Sequence, residues 1–159
     1  MSKAVLPGSY DPITRGHLEI IKRASAEFDE VFVALMINPE KEYMFEKDDR
    51  VSMARIACED IPNVTVVYDE GMLVDLFERL GADVIVKGVR NKTDYEYESD
   101  MAQYNEKRNP RAVTLLWQCE AEYAGVSSSS VRKAIREGDL CALESLLDRR
   151  VLEYINKKA

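Results

Sequence analysis

The chain has 159 residues, of which 46% are hydrophobic and 32% are charged, values typical of one globular domain with its own core, spanning residues 1–159. Its net charge of −7 at pH 7 argues against a nucleic-acid or anionic-membrane partner, because either surface calls for a basic stripe. The three cysteines, Cys58, Cys119 and Cys141, are scattered and odd in number, which predicts reduced thiols in a cytoplasmic protein rather than disulfides or a zinc site.

Five short apolar runs predict β-strands. We expect neither a signal peptide nor a membrane span, since the chain opens directly into the first run and no run is long enough to cross a bilayer. Val31–Ile37 is apolar at every position, as in a parallel strand that helices cover on both faces. The predicted strands are Ala4–Leu6, Val31–Ile37, Val64–Tyr68, Val84–Lys87 and Val113–Trp117.

Helical patterns separate these strands, with apolar residues three and four positions apart. Gly81 and Gly138 are predicted to end two of the helices, and the capping-box spacing at Thr93 predicts the start of a more polar one that runs to about Lys107. The apolar stripes are Leu18, Ile21, Ala24 and Phe28; Val51, Ala54, Ala57, Cys58 and Ile61; Leu73, Leu76, Phe77 and Leu80; and Val131, Ala134 and Ile135.

The C-terminal part adds two short helices, for which Asp139 and Asp148 are the predicted N-caps. Strand and helix alternate along the chain up to that point. This alternation predicts a doubly wound, Rossmann-like α/β domain with a five-stranded parallel sheet and helices on both faces.

The stretch from Leu6 to His17 is the most informative, and it reads L-P-G-S-Y-D-P-I-T-R-G-H. A Pro-Gly turn is expected after the first strand, and the next helix begins near His17. A helix N-terminus offers free N–H groups and a positive dipole end, which favour a phosphate. Gly16 has no Cβ, so an anion could approach the backbone there. His17, the only histidine, is a candidate donor to that phosphate.

Four loops that follow predicted strands carry cationic or anion-binding groups, and this fold brings such loops to one rim of the sheet. Each group alone also fits a role unrelated to ligand binding: a solvated lysine, an N-capping serine, or a tyrosine at a packing or subunit contact. Their occurrence together predicts a phosphate-binding cleft. The groups are Gly8, Ser9, Tyr10 and His17; Asn38–Lys41; Lys87–Arg90; and Ser127–Ser129.

A family resemblance is carried by these segments. Pro7–Pro12 followed by Gly16-His17 resembles the first motif of the nucleotidyltransferase superfamily with a His-x-Gly-His or Thr-x-Gly-His signature. Lys87–Arg90, Asp94–Glu98 and Val126–Ser129 narrow the resemblance to the bacterial phosphopantetheine adenylyltransferases, over about residues 4–135.

The resemblance implies transfer of AMP from ATP to 4′-phosphopantetheine, giving dephospho-CoA and pyrophosphate. It implies His17 as transition-state stabiliser, with Lys41 and Arg90 as further catalytic residues. Acceptor contacts would be Ser9, Lys41, Leu73 and Lys87. ATP contacts would be Ser9, Tyr10, His17, Gly88, Val89, Arg90, Glu98, Tyr123, Ala124, Gly125, Val126, Ser127, Ser128 and Ser129.

The chain departs from the family pattern at two positions. Lys87 stands where arginine is usual, which keeps the positive charge but loses the paired hydrogen bonds that a guanidinium can make to a phosphate. Ser9 stands where threonine is common. The resemblance also implies Mg²⁺ bound to the triphosphate with no metal ligands in the protein, a homohexamer, and feedback binding of coenzyme A.

Other functions remain open at this stage. A glycerol-phosphate cytidylyltransferase or a nicotinamide-mononucleotide adenylyltransferase would share the fold, although Lys41 and Tyr95–Glu98 favour the pantetheine branch. A catalytically silent nucleotide sensor is disfavoured by the intact His17. A flavodoxin-like redox domain would need a serine- and threonine-rich loop after the first strand, where this chain has Pro7-Gly8.

Overall fold

The sheet consists of five parallel strands in the order β3-β2-β1-β4-β5. The structure, a computed structural model, describes residues 1–158. The strands are β1 (Lys3–Gly8), β2 (Glu30–Met36), β3 (Val64–Asp69), β4 (Val84–Val89) and β5 (Thr114–Gln118). The predicted doubly wound α/β fold is therefore confirmed.

Helices connect the strands and extend beyond the last one. They are α1 (Arg15–Glu27), α2 (Lys47–Cys58), α3 (Leu73–Leu80), α4 (Lys92–Arg108), α5 (Ser128–Glu137), α6 (Leu140–Leu146) and α7 (Arg149–Lys158), with a 3₁₀ turn at Ala121–Tyr123. None of the helices within residues 1–158 is both long and apolar enough to span a membrane.

The core lies on both faces of the sheet because neighbouring residues of a strand point to opposite sides. In β1, Val5 packs in a cluster with Phe77 of α3. Its neighbours Ala4 and Leu6 pack in the other cluster, with residues of α1, α2 and α5–α7. All three of these β1 residues are nearly or fully buried, which explains the uninterrupted apolar sequence of a central strand.

Several predicted boundaries hold. Gly81 and Gly138 end α3 and α5, each with a φ of 67°, the left-handed conformation that glycine adopts without strain. Asp139 caps α6 by accepting the Ala142 N–H at 3.1 Å, and Asp148 accepts the Arg150 N–H at 2.9 Å. The two short C-terminal helices are thus where the sequence predicted them.

Other boundaries were wrong. Pro7 and Gly8 form no turn; they continue β1 and are in register with Ala34 and Leu35 of β2. The cap of α4 is Asn91, whose Oδ1 accepts the Asp94 N–H at 2.9 Å, so the helix starts before Thr93. Val113 lies outside β5 and is 41% exposed. Pairing with β2 extended β1, which no local pattern shows. The cap at Asn91 is a local signal, because asparagine is a preferred N-cap residue, and it prevailed over Thr93.

Candidate functional site

A cleft of about 620 Å³ opens at the carboxyl ends of the central strands. In the sheet, β2 and β3 lie on one side of β1, and β4 and β5 lie on the other. The cleft therefore lies at the point where strand order reverses, the usual ligand site of an open α/β sheet. Its walls come from all four segments that the sequence singled out, although Gly8 belongs to β1 and Lys87 and Gly88 belong to β4 rather than to loops.

His17 is held in a defined tautomer at the start of α1. Thr14 caps the helix: its Oγ1 accepts the His17 N–H at 3.3 Å, and its own N–H donates to Nδ1 of His17 at 3.0 Å. Because Nδ1 accepts a hydrogen bond, the neutral ring carries its proton on Nε2. The side chain lines the cleft, so Nε2–H is the group it can offer to a ligand.

The charge state of His17 follows from its surroundings. Burial lowers its pKa to about 4, and the positive charges of Lys87 and Arg90 act in the same direction. A pKa this far below the ordinary 6.5 keeps the ring neutral near pH 7. His17 is thus a neutral hydrogen-bond donor beside two cations.

The start of α5 meets the start of α1 at the same wall. A Cβ on Gly16 would lie 3.0 Å from the Val126 carbonyl oxygen, so Gly16 permits close packing of the two helix ends as well as backbone access. The Ser128 hydroxyl donates to the Pro12 carbonyl at 2.9 Å. Two positive helix ends consequently face one cleft.

The serine hydroxyls mostly serve the fold. Ser127 Oγ accepts the Ser130 N–H at 3.1 Å and caps α5, while Ser129 Oγ accepts from Arg132 at 3.1 Å. The Val131 N–H bonds to the Ser127 carbonyl. The amides of Ser128 and Ser129, in the first turn, are left without a protein acceptor within residues 1–158, and they are suited to an anion.

Two cations at the end of β4 are paired with carboxylates of α4. Lys87 Nζ lies 3.2 Å from Glu98 Oε2 and 3.5 Å from the Pro7 carbonyl oxygen. Arg90 Nε lies 2.9 Å from Asp94 Oδ2. Each pair combines a cleft-lining cation with a cleft-lining carboxylate, so the side chains are oriented before any ligand arrives.

Most residues assigned from the resemblance line this cleft: Ser9, Tyr10, His17, Lys41, Leu73, Lys87, Gly88, Arg90, Glu98, Tyr123, Val126, Ser127, Ser128 and Ser129. The Tyr10 hydroxyl, however, donates to the Leu6 carbonyl at 2.8 Å and is not free for a ligand. Val89, Ala124 and Gly125 are not part of the wall; the side chain of Val89 is buried in the core.

The sequence interpretation missed several cleft residues. Arg132 reaches the wall from α5 and donates to the Asp11 carbonyl at 2.9 Å. Its signal was a basic residue four positions, or about one helical turn, after Ser128. Asn105 is 8% exposed and lines the cleft, as does Thr114, whose buried hydroxyl oxygen has no partner within residues 1–158. The last two had no local signal, because the pairing of α4 with β5 brings them there.

Similarity to known proteins agrees with this geometry. Residues 5–134 match the family model described as cytidylyltransferase-like. A phosphopantetheine adenylyltransferase of Clostridium tetani is 42% identical over 159 residues, covering 100% of this chain and 98% of the relative. The phosphopantetheine adenylyltransferase of Clostridium novyi is 41% identical over 158 residues, 99% of this chain and 97% of the relative.

The chain belongs to the phosphopantetheine adenylyltransferase family. The resemblance inferred from the motifs is therefore confirmed, and the cytidylyltransferase, nicotinamide-mononucleotide and sensor alternatives are not favoured. A solved structure titled as a putative nicotinate-nucleotide adenylyltransferase from Vibrio parahaemolyticus superposes with a TM-score of 0.71, covering 99% of this chain and 93% of that one. At 19% identity this likeness supports the fold alone.

The cleft of this phosphopantetheine adenylyltransferase family member is rich in cations and backbone donors. Within residues 1–158, no group of three or more His, Cys, Asp or Glu side chains could hold a metal ion. The cleft carboxylates Asp94 and Glu98 are instead paired with Arg90 and Lys87. The arrangement suits a ligand that carries several phosphates.

Proposed function

We propose that this chain transfers the adenylyl group of ATP to 4′-phosphopantetheine, giving dephospho-CoA and pyrophosphate. The observation that carries the proposal is the neutral His17, with its proton on Nε2, beside two helix N-termini and a set of cations. Membership of the phosphopantetheine adenylyltransferase family supports the choice of acceptor.

The reaction needs no general base. The second pKa of a phosphate monoester is about 6, so the acceptor phosphate is largely dianionic at neutral pH and can attack the α-phosphorus directly. His17 is also poorly suited to be a base, because its Nδ1 is occupied by the Thr14 N–H and Nε2 already holds the proton. It donates Nε2–H to the α-phosphoryl oxygens as charge shifts onto them.

The cations divide between the two substrates. Lys41 and Lys87 bind the acceptor phosphate, while Arg90, Arg132 and the Ser128 and Ser129 amides bind the β- and γ-phosphates. Holding two polyanions in line lowers the barrier by removing the entropy cost of their encounter and by neutralising their repulsion. Leu73, Met101, Asn105 and Thr114 line the cleft and offer an apolar surface with two polar groups for the amide-bearing arm of the acceptor.

Mg²⁺ enters as part of the substrate. Mg²⁺ keeps several waters and commonly binds phosphate oxygens with few protein ligands. The cleft fits this role, since its carboxylates Asp94 and Glu98 are each paired with a cation and Asp11 accepts two backbone N–H groups. The metal would neutralise charge on the triphosphate, and the protein residues would bind the remaining oxygens.

The proposal also covers the location, domain organisation, assembly and inhibition of the enzyme. We propose a cytoplasmic protein, in which Cys58, Cys119 and Cys141 remain free thiols, with a single domain over residues 1–159. We also propose a homohexamer and inhibition by coenzyme A, which contains the reaction product as part of its structure and would compete for the same cleft.

The test is incubation with Mg-ATP and 4′-phosphopantetheine, followed by mass spectrometry. We expect dephospho-CoA and pyrophosphate in equal amounts. Parallel reactions with ATP and nicotinamide mononucleotide, and with CTP and glycerol 3-phosphate, should give no comparable product. Turnover of either control pair without dephospho-CoA formation would overturn the proposal, as would tight ATP binding without any turnover.

A further inference from the structure

Lys41 lies on an exposed loop, yet the loop is tied to the cleft by hydrogen bonds that lead to two buried side chains, Asp11 and Arg50. We call residues 37–46, between β2 and α2, the acceptor loop. Lys41 is exposed to solvent and lines the cleft. A long, flexible side chain on a loose loop binds a phosphate weakly, because binding must first order both the loop and the side chain.

Asp11 holds the far end of the acceptor loop. This carboxylate is 2% exposed, with Oδ2 accepting the Met44 N–H at 2.8 Å and Oδ1 accepting the Phe45 N–H at 2.9 Å. A buried carboxylate beside a phosphate-binding cleft would repel the ligand and is costly unless it is hydrogen-bonded. The two loop amides, together with Arg132 at 3.9 Å from Oδ2, compensate the charge of Asp11.

Arg50 continues the network from the other side. It is also 2% exposed, and it donates from Nε to the Phe45 carbonyl at 3.2 Å and from Nη1 to the Ser9 carbonyl at 3.1 Å. Its guanidinium lies 4.1 Å from the centre of the Tyr43 ring. One side chain therefore joins the acceptor loop to the loop after β1.

The last links run from Tyr43 to Lys41. The Asn38 N–H donates to the Tyr43 hydroxyl at 2.7 Å, and the Lys41 N–H donates to the Asn38 carbonyl at 3.0 Å. Asn38 Oδ1 also accepts the Glu40 N–H at 3.0 Å. The backbone at Lys41 is consequently linked through Asn38 and Tyr43 to the buried side chains of Arg50 and Asp11.

We infer that Asp11 and Arg50 are positioning residues that hold Lys41 where it can bind the acceptor phosphate. The inference rests on the proposed function, in which Lys41 contacts 4′-phosphopantetheine. Neither residue needs to touch a substrate: both carboxylate oxygens of Asp11 are taken by loop amides, and the bonds of Arg50 are to protein carbonyls.

The two ligands should respond differently to Asp11→Asn. The asparagine keeps one acceptor oxygen but places an NH₂ group against the second loop amide, so the acceptor loop loosens. Arg132 keeps its bond to the Asp11 backbone carbonyl and loses the nearby carboxylate, 3.9 Å away. Acceptor binding should weaken, whereas ATP binding should stay unchanged or strengthen.

The experiment is a set of double-mutant cycles with Lys41→Ala, read by calorimetric binding of 4′-phosphopantetheine and, separately, of ATP. In the otherwise native protein we expect Asp11→Asn to weaken acceptor binding about tenfold, the effect of one lost charge-assisted hydrogen bond. Arg50→Lys and Tyr43→Phe should weaken it several-fold. In the Lys41→Ala background Asp11→Asn and Tyr43→Phe should change acceptor affinity by less than about twofold, because the group they position is gone. Arg50→Lys should lose most but not all of its effect there, because Arg50 also holds the Ser9 carbonyl.

Asp48→Asn is the matched control, since Asp48 is an exposed acid of the first turn of α2 and should change neither affinity. Equal losses with and without Lys41, or a parallel loss of ATP affinity, would overturn the positioning role. Tyr43→Phe keeps the ring under Arg50, so it tests the inference even if Asp11→Asn does not fold. Wild-type protein that neither binds nor converts 4′-phosphopantetheine would instead overturn the proposed function and, with it, this inference.

Discussion

His17 should act on the transition state and contribute little to ground-state binding. His17→Ala should lower turnover by about 10²–10³-fold, the effect of losing one donor aimed at developing charge. Dissociation constants for ATP and 4′-phosphopantetheine should change far less. Turnover and calorimetric binding measured on the same samples decide the matter. Lost ATP binding with unchanged single-turnover chemistry at saturation would make His17 a binding residue only.

The ring of His17 should stay neutral with its proton on Nε2 down to unusually low pH. Being the only histidine, it gives one unambiguous set of nitrogen-correlated NMR signals, which should titrate near its pKa of about 4. Between pH 6.5 and about 4 the unfolded chain takes up a proton that the folded chain excludes. Wild type should therefore lose more stability than His17→Gln as the pH falls through that window. Titration near 6.5 would contradict the lowered pKa of His17.

Lys87 should tolerate arginine. Its Nζ lies 3.2 Å from Glu98 Oε2. A guanidinium could keep that contact and also make a bidentate hydrogen bond to the acceptor phosphate. We expect Lys87→Arg to keep turnover within a few-fold and to tighten acceptor binding. Lys87→Met should weaken acceptor binding about tenfold. An inactive but folded Lys87→Arg protein would mean that the site is shaped around an ammonium group.

Between elements, the contact of β4 with α1 depends on Gly88. A Cβ there would lie 2.8 Å from Ile20 Cγ1 and 3.2 Å from Cδ1, and Ile20 is 7% exposed. Gly88→Ala should cost about 1–3 kcal/mol of unfolding free energy by overpacking, measured by denaturant unfolding.

Two comparisons isolate this contact. Gly125→Ala should be nearly neutral, since nothing lies within 4 Å of the added Cβ. In an Ile20→Ala background, Gly88→Ala should cost much less than in the native protein, because the clashing atoms are absent. The same cost in both backgrounds would assign the effect to the strand itself.

The intact protein should associate through α4. This helix exposes Tyr95, Tyr97, Met101 and Tyr104, each between 40% and 63% accessible, and aromatic and methionine side chains are enriched in subunit interfaces. Sedimentation equilibrium should give six times the 18.1 kDa of one chain. Replacing Tyr95 and Tyr104 together by serine should lower that mass. A monomer at micromolar concentration would contradict the hexamer.

Local patterns were sufficient for much of this architecture. Val31–Ile37 was identified as a strand because an uninterrupted apolar run fits burial on both faces of a parallel sheet. The stripe Leu73–Leu80 was identified as a helix because its apolar residues lie three and four positions apart. Gly81 and Gly138 marked helix ends because glycine adopts, at low cost, the left-handed conformation that ends many helices. The placement of His17 at a helix start was also predictable, since Thr14 lies three residues before it and caps the helix.

The tertiary structure decided what lies around His17. Arg132 meets the Asp11 carbonyl across 121 positions of sequence, and Arg50 meets the Ser9 carbonyl across 41. No periodic pattern records such pairs, because their partners are backbone groups that every residue type possesses. The Tyr10 hydroxyl is a more local case: it bonds the Leu6 carbonyl four residues back, and Tyr10 has a left-handed φ of 49° that the residue type does not announce. The sequence alone determined the elements and the candidate site, while long-range packing chose which groups face the cleft and which hold it in shape.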